Sequence, residues 1–356
     1  MPRKTYNKFS RSEVPAAITI SDRDLDLLAA ILRYRFSPTS ELVRLVGGNQ
    51  KVTADRLRRL YSAHLVNRWA FPGIPPSEFF YYLDNRAALD LLAAKRSLRI
   101  LSPMIAELKA HREKDYAQSA ARGQHMQLGF LRHSLMLSRL HFTLEQACKN
   151  STGKITLEQW RQGGELDGYK VEVKKVKATR VAGDQYLWQE HDVENERLPV
   201  EPDALFTLRF AERPEGEQLV HFLYEADRGT MTSSDLMRKL RAYWHLIKIQ
   251  HRHQEAFGIH PVRAVLIETT TEARGAQLMD LVAHPLIAGP AKRAGLFWFT
   301  ISPLLTGHTK GGQAPVADAY LDRAEIILKD IWALPDRTMH SLADAENSLA
   351  PRTAQA

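Results

Sequence analysis

Hydrophobic residues near the start of the chain recur at the spacing of an amphipathic helix. Leu25, Leu28 and Leu32 lie three to four residues apart and occupy one helix face. Ser21 and Asp24 precede this stripe with capping-box spacing, with Asp in the position where Glu or Gln is usual. The pattern predicts a short helix that begins after Ser21.

A second apolar stripe follows and ends at a pair of glycines. Leu42, Leu45 and Val46 share a face, and Gly47 and Gly48 come directly after them. Glycine adopts the left-handed backbone that commonly terminates a helix. We therefore expect a second helix that begins after Ser37 and Pro38 and stops at the glycine pair.

A third helix, from about residue 51 to residue 64, separates apolar from basic side chains. Leu57, Leu60 and Tyr61 point to one side of it. The opposite side carries the basic residues Lys51, Arg58 and Arg59, with Arg56 at its edge. A helix with this distribution has the layout of a recognition helix.

Two short apolar segments after the third helix predict a hairpin. They run from Val66 to Trp69 and from Phe79 to Leu83, on either side of a turn rich in proline and glycine. Three helices and a hairpin make a winged helix, in which the third helix enters the major groove and basic side chains near the wing hold phosphates. The residues expected to contact DNA are Lys51, Arg56, Arg58, Arg59 and Arg68. The alternatives are a solvated basic face and a surface for a protein partner.

The middle of the chain predicts helices at residues 85–98, 103–118 and 126–147. The mixed charge of the second is typical of a connector or a dimer arm, or of a solvated helix packed on the winged helix. His133 and His141 lie on the apolar third helix, where a histidine is usually a packed side chain.

Two apolar strands around a turn bring three acids together. The strands run from Leu198 to Phe210 and from Leu219 to Asp227. If the hairpin is centred near Pro214, position 203 lies opposite position 225, so Asp203 is next to Glu225. Asp227 shares a strand face with Glu225 because side chains alternate along a strand.

Three adjacent carboxylates repel one another unless a cation or a proton intervenes. Oxygen ligands of this kind suit Mg²⁺ or Mn²⁺, which can activate a water and stabilise a phosphodiester in transit. Lys239 lies at the edge of the apolar stripe of the next helix, from which it could orient water or stabilise developing negative charge. The alternative is a pair of strand-end carboxylates exposed to water.

The elements after the hairpin alternate between helix and strand. A helix from Ser233 precedes a strand at residues 262–268, a helix at 272–281 and a strand at 296–301. This order predicts an α/β core with a mixed sheet.

A separate basic segment lies at residues 168–181. It includes Lys174, Lys175 and Lys177, with valines in partial alternation. The pattern favours two interpretations equally: a hairpin that holds a DNA backbone, and an edge hairpin whose lysines prevent aggregation.

Composition narrows the classes of partner. The formal charge of +8 and the pI of about 9.5 favour a polyanion such as nucleic acid. The single cysteine, Cys148, excludes internal disulfides, and no apolar run predicts a signal sequence or membrane anchor, so we expect a cytoplasmic protein. The Gly-rich phosphate loop and the Gly-x-Ser-x-Gly elbow do not occur, and His251 and His253 lie at a helix end rather than on the strand that a relaxase needs.

Pro202-Asp203, Glu225-Ala-Asp227 and Lys239 together resemble the PD-(D/E)XK nuclease superfamily. The longer string that continues through Arg228-Gly-Thr230 to Tyr243, behind a winged helix, resembles the replication-relaxation family of bacterial plasmids and integrative elements. One position departs from the nuclease pattern, because Asp227 stands where the lysine is expected. Lys239 is then either a migrated substitute or a sign of a degenerate site.

The resemblance implies an N-terminal winged helix followed by a restriction-endonuclease-like α/β domain with a mixed sheet. Its function would be that of a DNA-binding accessory protein in replication or mobilisation, with other replication or relaxosome proteins, or a second copy, as partners. The alternatives are a Mg²⁺-dependent endonuclease with Asp203, Glu225, Asp227 and Lys239 as catalytic residues, and a transcriptional regulator whose second domain dimerises. The expected segments are a basic arm at 1–18, the winged helix at 19–98, a connector at 99–125, the nuclease-like domain at 126–335 and a flexible tail at 336–356.

Overall fold

A computed structural model describes residues 12–69, 79–83, 86–95, 124–182, 185–290, 294–301 and 319–343. The chain divides into two compact units, and each is described by itself. The first comprises Met1–Phe142 with Gly312–Leu321, and the second comprises Thr143–Gly311 with Asp322–Ala356. Most of the predicted arm, and the predicted connector apart from its last two residues, lie outside the described residues.

The first unit contains short helices and a small antiparallel sheet. The helices are α1 (Asp22–Tyr34), α2 (Thr39–Val46), α3 (Gln50–Ser62) and α4 (Arg86–Lys95), and the strands are β1 (Ser37–Pro38), β2 (Asn67–Trp69) and β3 (Phe80–Tyr82). β3 lies between β1 and β2 and is antiparallel to both. The three predicted helices and the hairpin are therefore confirmed as elements.

Local sequence signals explain where the helices of the first unit begin and end. Ser21 and Asp24 form both bonds of the predicted capping box. Gly47, which ends α2, has a φ of 77°, a value that residues other than glycine rarely adopt. The predicted apolar faces of α1 and α3 meet in one core, in which Leu28 and Leu57 are fully buried.

The second unit is built on strands. α5 (Gln124–Asn150) runs across the division between the units, and its bounds agree with the predicted helix at 126–147. The strands are β4 (Ile155–Gln162), β5 (Lys170–Ala182), β6 (Gln185–Pro199), β7 (Ala204–Phe210), β8 (Leu219–Ala226), β9 (Val262–Thr269), β10 (Phe297–Ile301), β11 (Trp332–Ala333) and β12 (Met339–His340). The helices of this unit after α5 are α6 (Ser233–Trp244), α7 (His253–Phe257) and α8 (Glu272–Val282). A further helix, α9 (Ala319–Asp322), lies at the last boundary between the units in the chain.

Seven of these strands form one mixed sheet, as the order of elements predicts. The spatial order is β12-β11-β10-β9-β8-β7-β4. The pairs β8–β9 and β9–β10 are parallel, and the remaining pairs are antiparallel. The chain is therefore a mixed α/β protein, and the carboxyl ends of β8 and β9 lie side by side.

One face of this sheet packs against α6 and α8. Leu223 and Val265 from the sheet share a core with Leu240 of α6 and Leu278 of α8. The β5–β6 hairpin pairs only with itself, and Val171 reaches the same core. The polar residues at the carboxyl end of β8 and the buried side of α6 therefore belong to one packed region.

Of the segment predicted as a tail, 336–356, residues 336–343 are described, and they include β12. Ser341 is buried there, and its hydroxyl donates to the Leu328 carbonyl. No helix in the described ranges has the length and apolarity needed to cross a membrane.

Candidate nucleic-acid interface and acidic cluster

The outward face of α3 carries the basic residues that the sequence places there. Lys51, Arg58 and Arg59 are exposed. Val52 is also exposed, at 62%, on the same face. Asp55 lies among them and forms ion pairs with Arg58 and Arg59. The face is basic overall and contains one acid.

Arg56 has different surroundings from the other basic residues of α3. Its guanidinium binds the fully buried carboxylate of Asp24 through two nitrogens and donates to the Thr19 carbonyl at 2.7 Å. The side chain is about one-fifth exposed, which agrees with the predicted position at the edge of the face. This pair joins α3 to the start of α1.

Arg68 of β2 is held by aromatic rings. Its guanidinium carbon lies 4.2 Å from the ring centroids of both Tyr61 and Phe79. Cation–π contacts of this kind fix the direction of the side chain. The contact links the end of α3 to the hairpin.

The predicted hairpin register is confirmed in the second unit. Ala204 pairs with Tyr224, and the Asp203 amide donates to the Tyr224 carbonyl at 3.0 Å, so Asp203 lies opposite Glu225. One oxygen of Asp203 accepts from the Ala226 amide at 2.8 Å. Asp203 is half-buried at the end of the strand.

Glu225 is buried between a lysine and a tyrosine from α6. Lys239 forms an ion pair with one carboxyl oxygen, and the Tyr243 hydroxyl donates to the other. Lys239 is about one-quarter exposed, so the cluster reaches the surface. Asp203, Glu225, Lys239 and Tyr243 are therefore brought together.

Burial raises the pKa of Glu225 to about 8, although Lys239 and Tyr243 act in the opposite direction and Asp203 adds to the rise. Burial lowers the pKa of Lys239, but the charges of Glu225 and Asp203 outweigh it and raise that pKa above its usual value. The pair as a whole therefore binds protons more tightly than its members do in water.

Asp227 is held by side chains of α8 and β9. Arg274 donates to both of its oxygens, at 2.8 and 3.1 Å, and the Thr269 hydroxyl donates at 3.0 Å. The Gly229 amide adds a bond of 3.2 Å. Asp227 thus ties the end of β8 to the elements that follow β9.

The three acids do not fit the predicted metal site. Arg274 occupies both oxygens of Asp227, and Lys239 and Tyr243 occupy those of Glu225. Within the described ranges, no three His, Cys, Asp or Glu side chains are arranged to hold a metal ion. Cations and hydroxyls of the protein itself relieve the carboxylate repulsion.

The family model for replication-relaxation matches residues 28–262, which are 235 of the 356 residues. This chain belongs to the replication-relaxation family. Membership suggests a role in plasmid replication or mobilisation. No curated protein and no solved structure matches the chain.

The family match covers α3 and the acidic cluster but ends before Arg274. Sequence reasoning missed Arg274, because it lies 47 residues after its partner Asp227. It also missed Glu268, which is fully buried and accepts a 2.6 Å bond from the Tyr224 hydroxyl. The acid at the end of an apolar strand is the signal that could have identified Glu268.

The basic strand β5 pairs with a strand rich in acids, β6, which the sequence pattern did not predict. Lys174, Lys175 and Lys177 are exposed, and Lys175 forms a 2.7 Å ion pair with Glu194. Residues 170–199 contain six Lys or Arg and six Asp or Glu, so the formal charge of the hairpin is zero. The pairing therefore lessens the net basic character expected of this segment.

His141 and His253 have the surroundings that the sequence predicts for them. His141 is buried, and its ring lies 4.8 Å from that of Tyr34 in a tilted arrangement, as expected for a packed residue. His253 begins α7, and its Nε2 lies 2.8 Å from Nδ1 of His260. His253 is therefore on a helix, as predicted, and not on a strand.

Proposed function

We propose that the protein binds duplex DNA of its own replicating element through the first unit, and that it acts there as an accessory protein in replication or mobilisation. The observation that carries the proposal is the exposed basic face of α3. Apolar residues of α3 anchor the helix in a core, and three cationic side chains remain at the surface. A winged helix presents its third helix to the major groove in this way.

The net charge of the chain and the contacts that hold α3 and the hairpin in place support the same proposal. The chain carries a formal charge of +8, which favours a polyanion. Arg68 lies within the hairpin that would act as the wing, and Arg56 joins α3 to the start of α1. A rigidly held helix loses little conformational entropy when it binds DNA.

The test is binding of the full-length protein to duplex fragments from its own element and to random duplexes, at several salt concentrations. The proposal expects a preference for one fragment, and a fall in affinity as salt increases. The variant Arg58→Ala/Arg59→Ala should lose that preference, and its salt slope should decrease by about one for each phosphate contact removed.

A matched control removes two cations elsewhere. Lys154 and Arg252 are exposed residues of the second unit, and each forms an ion pair with an acid, as Arg58 and Arg59 do. Lys154→Ala/Arg252→Ala should keep the preference for the fragment. Equal affinity of the wild-type protein for its own and random DNA would overturn the proposal.

A metal-dependent DNA endonuclease is the second candidate, and the order of the elements and the position of Lys239 favour it. The elements β7, β8, α6 and β9 follow one another along the chain as the predicted hairpin, helix and strand, with the short helix α7 before β9. Lys239 also lies beside the acids, where a migrated lysine would be needed. The metal would be Mg²⁺ or Mn²⁺, and Asp227 would not help to hold it, because Arg274 binds both of its oxygens.

Cleavage assays decide between the candidates. The second requires cleavage of supercoiled, linear or branched DNA with Mg²⁺ or Mn²⁺, and loss of that cleavage in Asp203→Asn and Lys239→Met. Glu255→Gln, an exposed acid of the second unit, is the control. Absence of cleavage on every form of DNA, or cleavage that survives in Asp203→Asn, would exclude this site.

A further inference from the structure

An acid occupies the middle of the face that α3 would present to DNA. At 100° per residue, Asp55 lies between Val52 and Arg59 on one side and Lys51 and Arg58 on the other. These four neighbours are exposed, and the side chain of Asp55 is 45% exposed. A carboxylate at this position repels phosphates, so it weakens the general attraction of the helix for DNA. The proposed binding of DNA does not by itself explain why Asp55 lies on this face.

Asp55 is hydrogen-bonded to both of the neighbouring arginines. Its Oδ1 accepts from Nη2 of Arg58 at 2.6 Å, and its Oδ2 accepts from Nε of Arg59 at 3.1 Å. The hydrogen bond from Arg58 has the largest effect on the pKa of Asp55 and lowers it. Burial raises this pKa, but the charges of both arginines lower it further, so Asp55 is ionised at neutral pH. One carboxylate therefore holds two guanidinium groups at the surface.

The two arginines keep donors beyond those that Asp55 uses. Arg59 gives its Nε to Asp55, and both of its Nη groups lack another acceptor among the described residues. Arg58 gives one of the two hydrogens of Nη2, so one donor edge that includes Nη2 remains, paired with either Nε or Nη1. A pair of nitrogens on one guanidinium matches the O6 and N7 acceptors of guanine in the major groove, which is the commonest specific contact between proteins and DNA.

We propose that Asp55 is a specificity-determining residue, which orients Arg58 and Arg59 to bind guanine bases in the major groove. The inference rests on the proposed binding of DNA by the first unit and adds the class of site: a duplex with guanines spaced for two neighbouring side chains. Arginines that are held before binding lose less rotamer entropy when they meet the base. Val52, on the same face, is an apolar side chain suited to a thymine methyl group.

The experiment begins with selection of a preferred duplex from a random pool by the full-length wild-type protein. The measured quantity is the ratio of the Kd for random duplex to the Kd for the selected duplex. Asp55→Asn should lower this ratio severalfold, because Asn binds the guanidinium groups weakly and the arginines lose their direction. Its affinity for random duplex should stay equal or increase, because one negative charge is removed.

Glu255→Gln is the matched control, because Glu255 is an exposed acid that pairs with Arg252 three residues before it. It changes the charge by the same amount, in the second unit, and should keep the wild-type ratio. Arg58→Lys/Arg59→Lys is the second variant: it keeps both charges but removes the paired donors, so the ratio should fall while the affinity for random duplex is kept. Replacement of guanine by 7-deazaguanine in the selected duplex should weaken the wild-type protein and leave Asp55→Asn unaffected.

The outcomes separate the two proposals. If Asp55→Asn tightens binding to selected and random duplexes equally, the ratio is unchanged, the role of Asp55 is overturned and DNA binding stands. If the wild-type protein prefers no duplex over any other, DNA recognition by the first unit fails, and this inference fails with it. Far-UV circular dichroism at the assay temperature shows that each variant is folded.

Discussion

Arg56 illustrates how one residue type takes different roles within a single helix. Arg58 and Arg59 are exposed, whereas Arg56 binds a carboxylate with no exposed surface. Asp24 also accepts from the Ser21 amide at 2.7 Å, so the capping box and the ion pair share one side chain. The charge of Arg56 therefore stabilises the fold of the first unit.

We expect Arg56→Ala to lower the free energy of unfolding by about 3 kcal/mol, because it leaves the buried Asp24 carboxylate without its cation. Arg58→Ala should change it by less than about 0.5 kcal/mol, since the pair with Asp55 is exposed. Urea denaturation followed by far-UV circular dichroism measures both. Equal effects of the two substitutions would contradict a structural role for Arg56.

Asp227 shows why a carboxylate with the right spacing need not join a site. Its alternation with Glu225 is set by the strand, but Arg274 from a distant helix binds it. Spacing along one strand predicts which face a residue occupies. It does not predict which cation of another element reaches that face.

Arg274→Met should lower the free energy of unfolding by about 3 kcal/mol, because Asp227 is buried and loses its cation. The matched control, Arg252→Met, removes an exposed pair and should have little effect. The measurement is urea denaturation with and without Mg²⁺. Recovery of the lost stability by Mg²⁺ in Arg274→Met would show that Asp227 can accept a metal after all.

At the scale of elements, one buried arginine adds to the apolar contacts that attach the β5–β6 hairpin to the rest of the second unit. Arg241 of α6 is fully buried and donates at 3.0 Å to the carbonyls of Lys174 and Leu286 and at 2.6 Å to Glu190. An isolated two-stranded hairpin is marginally stable in water. Attachment to α6 is therefore what keeps this long hairpin in place.

Arg241→Met should loosen the hairpin, because one carbonyl of β5 and one carboxylate of β6 lose their donor. We expect limited proteolysis to cut within residues 170–199 at least tenfold faster than in the wild-type protein. Arg238→Met is the control, since Arg238 lies on the same helix and pairs with Glu196 of the same hairpin, but is half exposed. Equal protection of both variants would contradict the role of Arg241.

The elements that sequence patterns identified are those with a clear apolar period. α1, α2 and α3 follow their apolar stripes, and β7 and β8 follow the turn between them. β6 escaped prediction because its residues are mostly polar and exposed. β4 escaped because buried and exposed positions do not alternate along it. Pairing with neighbours, rather than local pattern, makes these segments strands.

At the scale of the whole molecule, the pH dependence of stability is expected to come in part from buried histidines. Burial, and then the charge of His260, lower the pKa of both His221 and His253. His251 and Lys248 act on His253 in the same direction, and a backbone hydrogen bond opposes them. The folded state therefore binds fewer protons at these rings than the unfolded chain does.

Stability from such a group is present above the ordinary histidine pKa of about 6.5 and is lost as the pH falls towards the folded value. We expect His253→Gln to reduce the loss of unfolding free energy between pH 7 and pH 5.5 by about 1 kcal/mol relative to wild type. Urea denaturation at the two pH values measures the difference. A loss as large as that of the wild-type protein would show that His253 takes up no proton in this range.

The sequence alone determined the helices of the first unit, the basic face of α3, the mixed sheet and the opposition of Asp203 to Glu225. These follow from periods of 3.6 and 2 residues and from turn position, which act over short separations. Tertiary structure decided which charges meet. It pairs Arg56 with Asp24, Lys239 with Glu225 and Arg274 with Asp227, because the cost of burying a charge is met by whichever opposite charge the packed elements bring near, whatever its distance along the chain.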